Sequence, residues 1–261
     1  MRTSNPALGD SIFNKHAHTA PLSDSGLMTI EGTVAKSGFL LAICTLSALG
    51  IWFATIATST QVLPNGQVLP NQAIAYPAMI AGCIGGLIMA LVTMFKKNLA
   101  AFTGTLYVVF EGLVIGGLSA IAEAYYPGIA LQAGLLTFGT LFTMLTAYRT
   151  GVIQVTDRLR SIIVAATGGI MLVYLASFII GLFGGGIPFI HEGGVIGIGF
   201  SLIVVGLAAF NLLLDFDFIE RGSKRGAPKH MEWYAAFGLM VTLIWLYIEI
   251  LRLLMKLQSR D

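Results

Sequence analysis

The sequence predicts an all-α membrane protein with seven transmembrane helices. Three observations lead there: charge is scarce, apolar residues gather into segments of membrane-spanning length, and basic residues fall in alternate connections. Of the 261 residues, 56% are hydrophobic and 11% charged, with a mean hydropathy of +0.83. A soluble chain would carry about one quarter charged residues. The 31 glycines suit helices that pack closely in lipid. A net charge of +2 gives no reason to expect nucleic acid as a partner.

Seven apolar segments run over 38–58, 74–95, 101–122, 129–148, 161–183, 194–216 and 233–254. Each is close to the length of about twenty residues that a helix needs to cross a bilayer. No alternating pattern of a membrane β-barrel is present. Residues 1–27 are polar and lack the apolar stretch of a signal peptide, so they read as a partly disordered cytoplasmic arm. Residues 28–261 form the transmembrane domain. His16 and His18 in the arm read as solvated side chains rather than metal ligands. Cys44 and Cys83 lie inside apolar segments and read as reduced packing residues.

The first connection contains a direct repeat, Gln61-Val-Leu-Pro-Asn65 and Gln67-Val-Leu-Pro-Asn71. Its Pro-Asn-Gly centre is turn chemistry and predicts a hairpin. Tyr125-Tyr126-Pro127-Gly128 reads as a turn at the membrane interface. Gly82/Gly86, Gly112/Gly116 and Gly181/Gly185 have the spacing that lets helix backbones approach.

The first, third and fifth connections contain no Lys or Arg. The arm and the second, fourth and sixth connections hold Arg2, Lys15, Lys36, Lys96, Lys97, Arg149, Arg158, Arg160, Arg221, Lys224, Arg225 and Lys229, twelve of the fifteen basic residues. The positive-inside rule makes that side cytoplasmic. Seven spans then put the carboxyl terminus outside, although Arg252, Lys256 and Arg260 lie at that end. The expected location is a bacterial inner membrane, with the lipid bilayer as the first partner.

Acidic residues within the spans are the candidate functional groups, because an ionised carboxylate in hydrocarbon must be neutral, paired or facing a wet cavity. Counting from Asn98, Glu111 lies roughly 20 Å along its helix at 1.5 Å per residue. Asp215 and Asp217 point about 200° apart on a helix, so they cannot both face the interior. Asp217 is one turn before Arg221 and reads as a surface ion pair. Asp215 is one turn after Asn211, and the two form a separate polar stripe. Glu249 precedes Arg252 by three residues and reads as an interfacial pair, with the arginine snorkelling outward. Thr242 lies on nearly the same face as Glu249 and offers a neutral ligand deeper in the bundle. Glu232 reads as a helix-start acid at the inner interface.

Several stretches together resemble the Bax inhibitor / YccA family of transmembrane Bax-inhibitor-motif proteins. They are MTIEGTVAKSG before the first segment, FEGLVIGGLS in the third, LTAYRTG at the end of the fourth, LLLDFDFIERG ending the sixth, and WYAAFGLMVTLIWLYIEILRLL in the seventh. The resemblance implies seven helices with the last at the centre, and a pH-sensitive leak of cations, notably Ca²⁺. In many relatives two aspartates on the last two spans share a proton and gate the pore. Asp215 matches the first of them, whereas Thr242 stands where the family has the second. The expectation is therefore an acidic stripe of Asp215 and Glu111, closed when protonated and cation-attracting when ionised, with oxygen ligands that suit hard cations.

Two other classes stand beside this one. A regulatory protein would bind a membrane protease or stress-response complex, with the arm as the contact element. An enzyme is not expected: His16, His18, His191 and His230 lie outside the spans and form no HExxH pattern. Ser47, Ser119, Ser177 and Ser201 have no plausible histidine base. No cofactor and no resident metal are expected.

Overall fold

A computed structural model describes residues 26–64, 66–183 and 194–259. Among these residues seven helices follow one another: α1 (Ile30–Ala57), α2 (Gln72–Phe95), α3 (Ala100–Tyr125), α4 (Ile129–Arg149), α5 (Asp157–Leu182), α6 (Val195–Lys224) and α7 (Met231–Gln258). A single 3₁₀ turn, Lys97–Leu99, joins α2 to α3. All seven are long and apolar enough to cross a bilayer, as the segment lengths predict. The arm up to residue 25, with His16 and His18, lies outside the described residues. So do Asn65, Gly185, His191 and Arg260.

The helices overrun the apolar segments because their ends are capped in polar surroundings. Thr29 accepts the Gly32 N–H and starts α1 eight residues before the apolar run. Asn71 caps α2 through Ala73 N–H, and Thr156 caps α5 through Leu159 N–H. Helix α6 continues past its apolar run to Lys224, with Arg221 and Lys224 in its last turn, where cations oppose the helix dipole. The first connection forms the expected hairpin: Val62 pairs with Val68, and Leu63 N–H donates to Gln67 O at 2.8 Å.

Helix α7 is the axis of the bundle. It buries the largest share of its apolar stretch, with α3 next, and packs against α1, α3, α4 and α6. Leu40, Val108, Ala208, Leu212, Ala236, Met240 and Leu246 meet in one apolar core around it. Helix α3 fits between α1 and α2 because glycine lets backbones touch. A Cβ on Gly82 would lie 2.6 Å from Phe110 O, and one on Gly116 2.9 Å from the Ala48 carbonyl carbon. Cys44 is buried in the core, whereas Cys83 is exposed on the outside of α2, so only the first is a packing residue. Exposed Leu131, Leu135 and Phe142 on α4 and Met171, Leu175 and Phe178 on α5 give the bundle an apolar flank. That flank suits lipid contact.

Helix α5 stands outside this core and packs on α6. Most of its apolar side chains are exposed or half-buried, Ile163 being the exception at 3%. Polar contacts rather than apolar packing tie it to the bundle.

At the end where the basic residues gather, a short strap closes over the bundle. Leu27 pairs with Pro228, and Met28 N–H donates to Ala227 O at 2.7 Å. The Met28 side chain is buried with Ile219 and Ala235. Beside this strap, Glu232 is wholly buried. Its carboxylate accepts from Thr29 N at 2.8 Å and Thr29 Oγ1 at 3.0 Å, and it pairs with Lys36 and with Lys229 at 2.9 Å. The expected helix-start acid is thus also the anchor that fastens the start of α1 to the start of α7. Burial follows from Gly32, whose missing side chain leaves the carboxylate room: a Cβ there would lie 2.6 Å from its carboxyl carbon.

Candidate functional site

Polar side chains on α5, α6 and α7 line up across the bundle. On α5, Arg160, Thr167 and Tyr174 recur every two turns, about 10 Å apart at 1.5 Å per residue. They meet, in order, Asp217 and Asn211 of α6 and Glu249 of α7. Helices α6 and α7 run antiparallel in one register. Ser201 meets Lys256 at one end, and Asp215 faces Thr242 four turns away, roughly 21 Å along both helices.

The basic end of this column is an ion-pair cluster. Asp217 is paired with both Arg221 and Arg160. At 9% exposure it is not the surface pair its spacing predicts. The difference arises because α5 lays Arg160 over the outer side of Asp217 and removes it from solvent. These three residues, Met28 and Asp215 line a cavity of about 630 Å³. Asp215 Oδ2 is buried without a hydrogen-bond partner. The Thr242 hydroxyl that faces this carboxyl makes only a long contact, 3.4 Å, to Gly238 O. It therefore keeps most of its hydrogen-bonding capacity for Asp215.

One step along, Asn211 Nδ2 donates to Thr167 Oγ1 and to Leu207 O, each at 2.9 Å. The stripe of Asn211 and Asp215 expected from their spacing is present, and Asn211 closes it toward α5. Beyond it, Glu249 is 2% exposed. It accepts from Tyr174 OH at 2.8 Å and from Arg252 Nη1 at 3.0 Å, and Arg252 also donates to Tyr174 OH at 3.0 Å. The Arg252 pair is as expected; its carboxylate is buried because α7 is central and α5 supplies a phenol beside it, while the Arg252 side chain stays 33% exposed. At the far end, Lys256 Nζ donates to Ser201 Oγ at 2.9 Å and to Gly197 O at 3.1 Å. Between these polar steps the α6–α7 seam is sealed by Val204, Ala208, Leu212, Leu246 and Ile250, all 3% exposed or less.

Glu111 does not join the column. Its carboxylate lies over Gly86 of α2, where an added Cβ would sit 2.7 Å from Oε1. The titratable groups near it are Cys44, Cys83 and Tyr107. The single acidic stripe of Asp215 and Glu111 is therefore not formed: α3 borders α7, but it turns this face toward α2. Conversely, Arg160, Thr167, Tyr174, Ser201 and Lys256 belong to the column, although none of them is a site candidate in the sequence. The two-turn spacing on α5 is a signal for three of them, readable once α5 is known to lie on α6.

The arrangement can hold and move charge, but it offers few ligands. Among the described residues no three His, Cys, Asp or Glu side chains cluster as a metal site. A resident Ca²⁺ would need about six to eight oxygens, and Asp215 and Thr242 supply far fewer.

No curated protein and no solved structure matches the chain. The family model described as Bax inhibitor 1 like matches residues 5–259, which includes every element of the column. By that match over nearly its whole length, the chain belongs to the Bax inhibitor 1-like family.

Proposed function

We propose that the protein is a pH-sensitive cation leak with Asp215 as its charge-bearing gate. One observation carries this reading: Asp215 Oδ2 is buried without a hydrogen-bond partner at the wall of a cavity of about 630 Å³. An ionised carboxylate there has one oxygen without a protein partner and calls for water or a cation beside it. Protonation removes that demand and favours the sealed seam. Ionisation draws water and a cation from the cavity toward Thr242. The scarcity of oxygens suits passage, because a tight site would hold the ion. Ca²⁺ and Na⁺ fit this hard-oxygen chemistry.

In this reading the basic end is cytoplasmic by the positive-inside rule, and the far end of α7 is outside. The cavity then opens inward, and the apolar seam makes this conformation closed to the outside. Thr242 serves as a neutral partner in place of a second acid, so the proton is not shared between two carboxylates. No catalytic step is assigned to any residue.

A second reading has an observation of its own. Leu27 and Met28 fasten the arm to the α6–α7 connection over the same cavity. A membrane protease or stress-response complex that binds the arm would act there. Flux into liposomes containing purified protein separates the two. The leak reading predicts Ca²⁺ entry that Asp215→Asn reduces at least tenfold. Folded wild type with no entry above empty liposomes would favour the regulatory role.

A further inference from the structure

Lys256 is an unusual residue for the last turns of a central transmembrane helix. It is 6% exposed, and Lys is almost never fully buried without partners. Its ammonium reaches across to α6, donating to Ser201 Oγ at 2.9 Å and Gly197 O at 3.1 Å. This places it at the far end of the seam that carries Asp215, four turns away along both helices. Glu249, between them, has its charge held by Arg252 and its oxygens by Tyr174. Any cation that passes Asp215 and continues along the seam must leave past the Lys256 ammonium.

We propose that Lys256 is a tethered cation that closes the far end of the pathway. Its ammonium occupies the oxygens of Ser201 and Gly197, which a permeant ion would otherwise use on the way out. Its charge also repels that ion, more strongly for Ca²⁺ than for Na⁺ because Coulomb repulsion scales with ionic charge. The proposal rests on the leak reading and adds to it a second barrier, opposite in sign to Asp215. It makes Lys256 a specificity-determining residue: it favours monovalent over divalent flux at a mouth where Asp215 has no influence.

The test compares Ca²⁺ and Na⁺ flux in proteoliposomes for wild type, Lys256→Gln, Lys256→Arg and Lys256→Gln/Asp215→Asn. Gln keeps an N–H donor for Gly197 O but loses the charge, and Arg keeps the charge. Lys256→Gln is expected to raise Ca²⁺ flux about tenfold and Na⁺ flux by less. Lys256→Arg should stay near wild type, and the double variant should fall back to the level of Asp215→Asn. If wild type conducts and Lys256→Gln, folded by size exclusion, matches it for both ions, Lys256 is not a barrier. Should Lys256→Gln and Lys256→Arg rise equally, side-chain packing and not charge closes the exit, which also overturns the proposal. Absence of flux in every protein, the charge-neutral variant included, removes the leak reading and this inference with it.

Discussion

Replacing Glu232 by Gln keeps the side-chain volume and removes the charge on which α1, α7 and the strap converge. The carboxylate is wholly buried, and its partners are the Thr29 backbone N–H and hydroxyl, Lys36 and Lys229. Breaking a buried pair by removing one partner costs about 3–5 kcal/mol. Two features lower that figure here. The lysine side chains are 18% and 43% exposed, so both can turn to water, and the Gln carbonyl still accepts from Thr29. What remains is the loss of charge assistance in hydrogen bonds that contribute about 1.5–3 kcal/mol each. We therefore expect Glu232→Gln to destabilise the protein by about 2 kcal/mol and Glu232→Ala by about 3–4 kcal/mol.

The assay is equilibrium unfolding in mixed detergent micelles followed by tryptophan fluorescence. Trp233 is a local reporter, since Lys36 Nζ stands 5.5 Å from its ring centroid. A double-mutant cycle with Lys36→Met isolates the pair, with a coupling of about 1–2 kcal/mol expected. A loss below about 0.5 kcal/mol for Glu232→Ala, within the range of ordinary surface substitutions, would refute the anchor.

Other consequences can be measured with similar means. Gly116→Ala drives a Cβ toward the backbone of Ala48, so it should cost about 1–3 kcal/mol in the same unfolding assay. Gly134→Ala on the open side of α4, where an added Cβ meets nothing within 4 Å, should be neutral or slightly stabilising. Arg160→Gln removes a charged tie between α5 and Asp217. It should raise basal cation flux severalfold in liposomes, because apolar packing holds α5 only weakly; unchanged flux would separate that ion pair from gating.

The fold was legible because membrane constraints are coarse. Segment length, the alternation of Lys and Arg, and turn residues such as Pro127-Gly128 each read out directly, and the boundaries erred mainly where polar caps extend helices beyond apolar runs. The candidate site was legible only in part. Asp215 and Asn211 share a face by spacing alone, and so do Glu249 and Arg252. What spacing cannot supply is the neighbouring helix. Arg160 reaches Asp217, and Tyr174 reaches Glu249, from more than fifty positions away in the chain. The same limit placed Glu111 beside Asp215, whereas α3 turns that carboxylate toward Gly86. Lys256 counts by charge alone against an outer carboxyl terminus; its contact with Ser201, fifty-five positions away, is not readable from spacing.

If ionisation of Asp215 opens the pathway, Ca²⁺ and Na⁺ flux must follow pH. Liposomes containing wild type, Asp215→Asn or Glu111→Gln would be compared from mildly acidic to mildly alkaline pH. Wild-type flux should rise with pH and be lost as pH falls. Asp215→Asn should be low and flat at every pH, and Glu111→Gln should keep the wild-type profile because Glu111 faces α2 instead of the column. A pH-dependent flux that survives Asp215→Asn unchanged would show that Asp215 is not the gate.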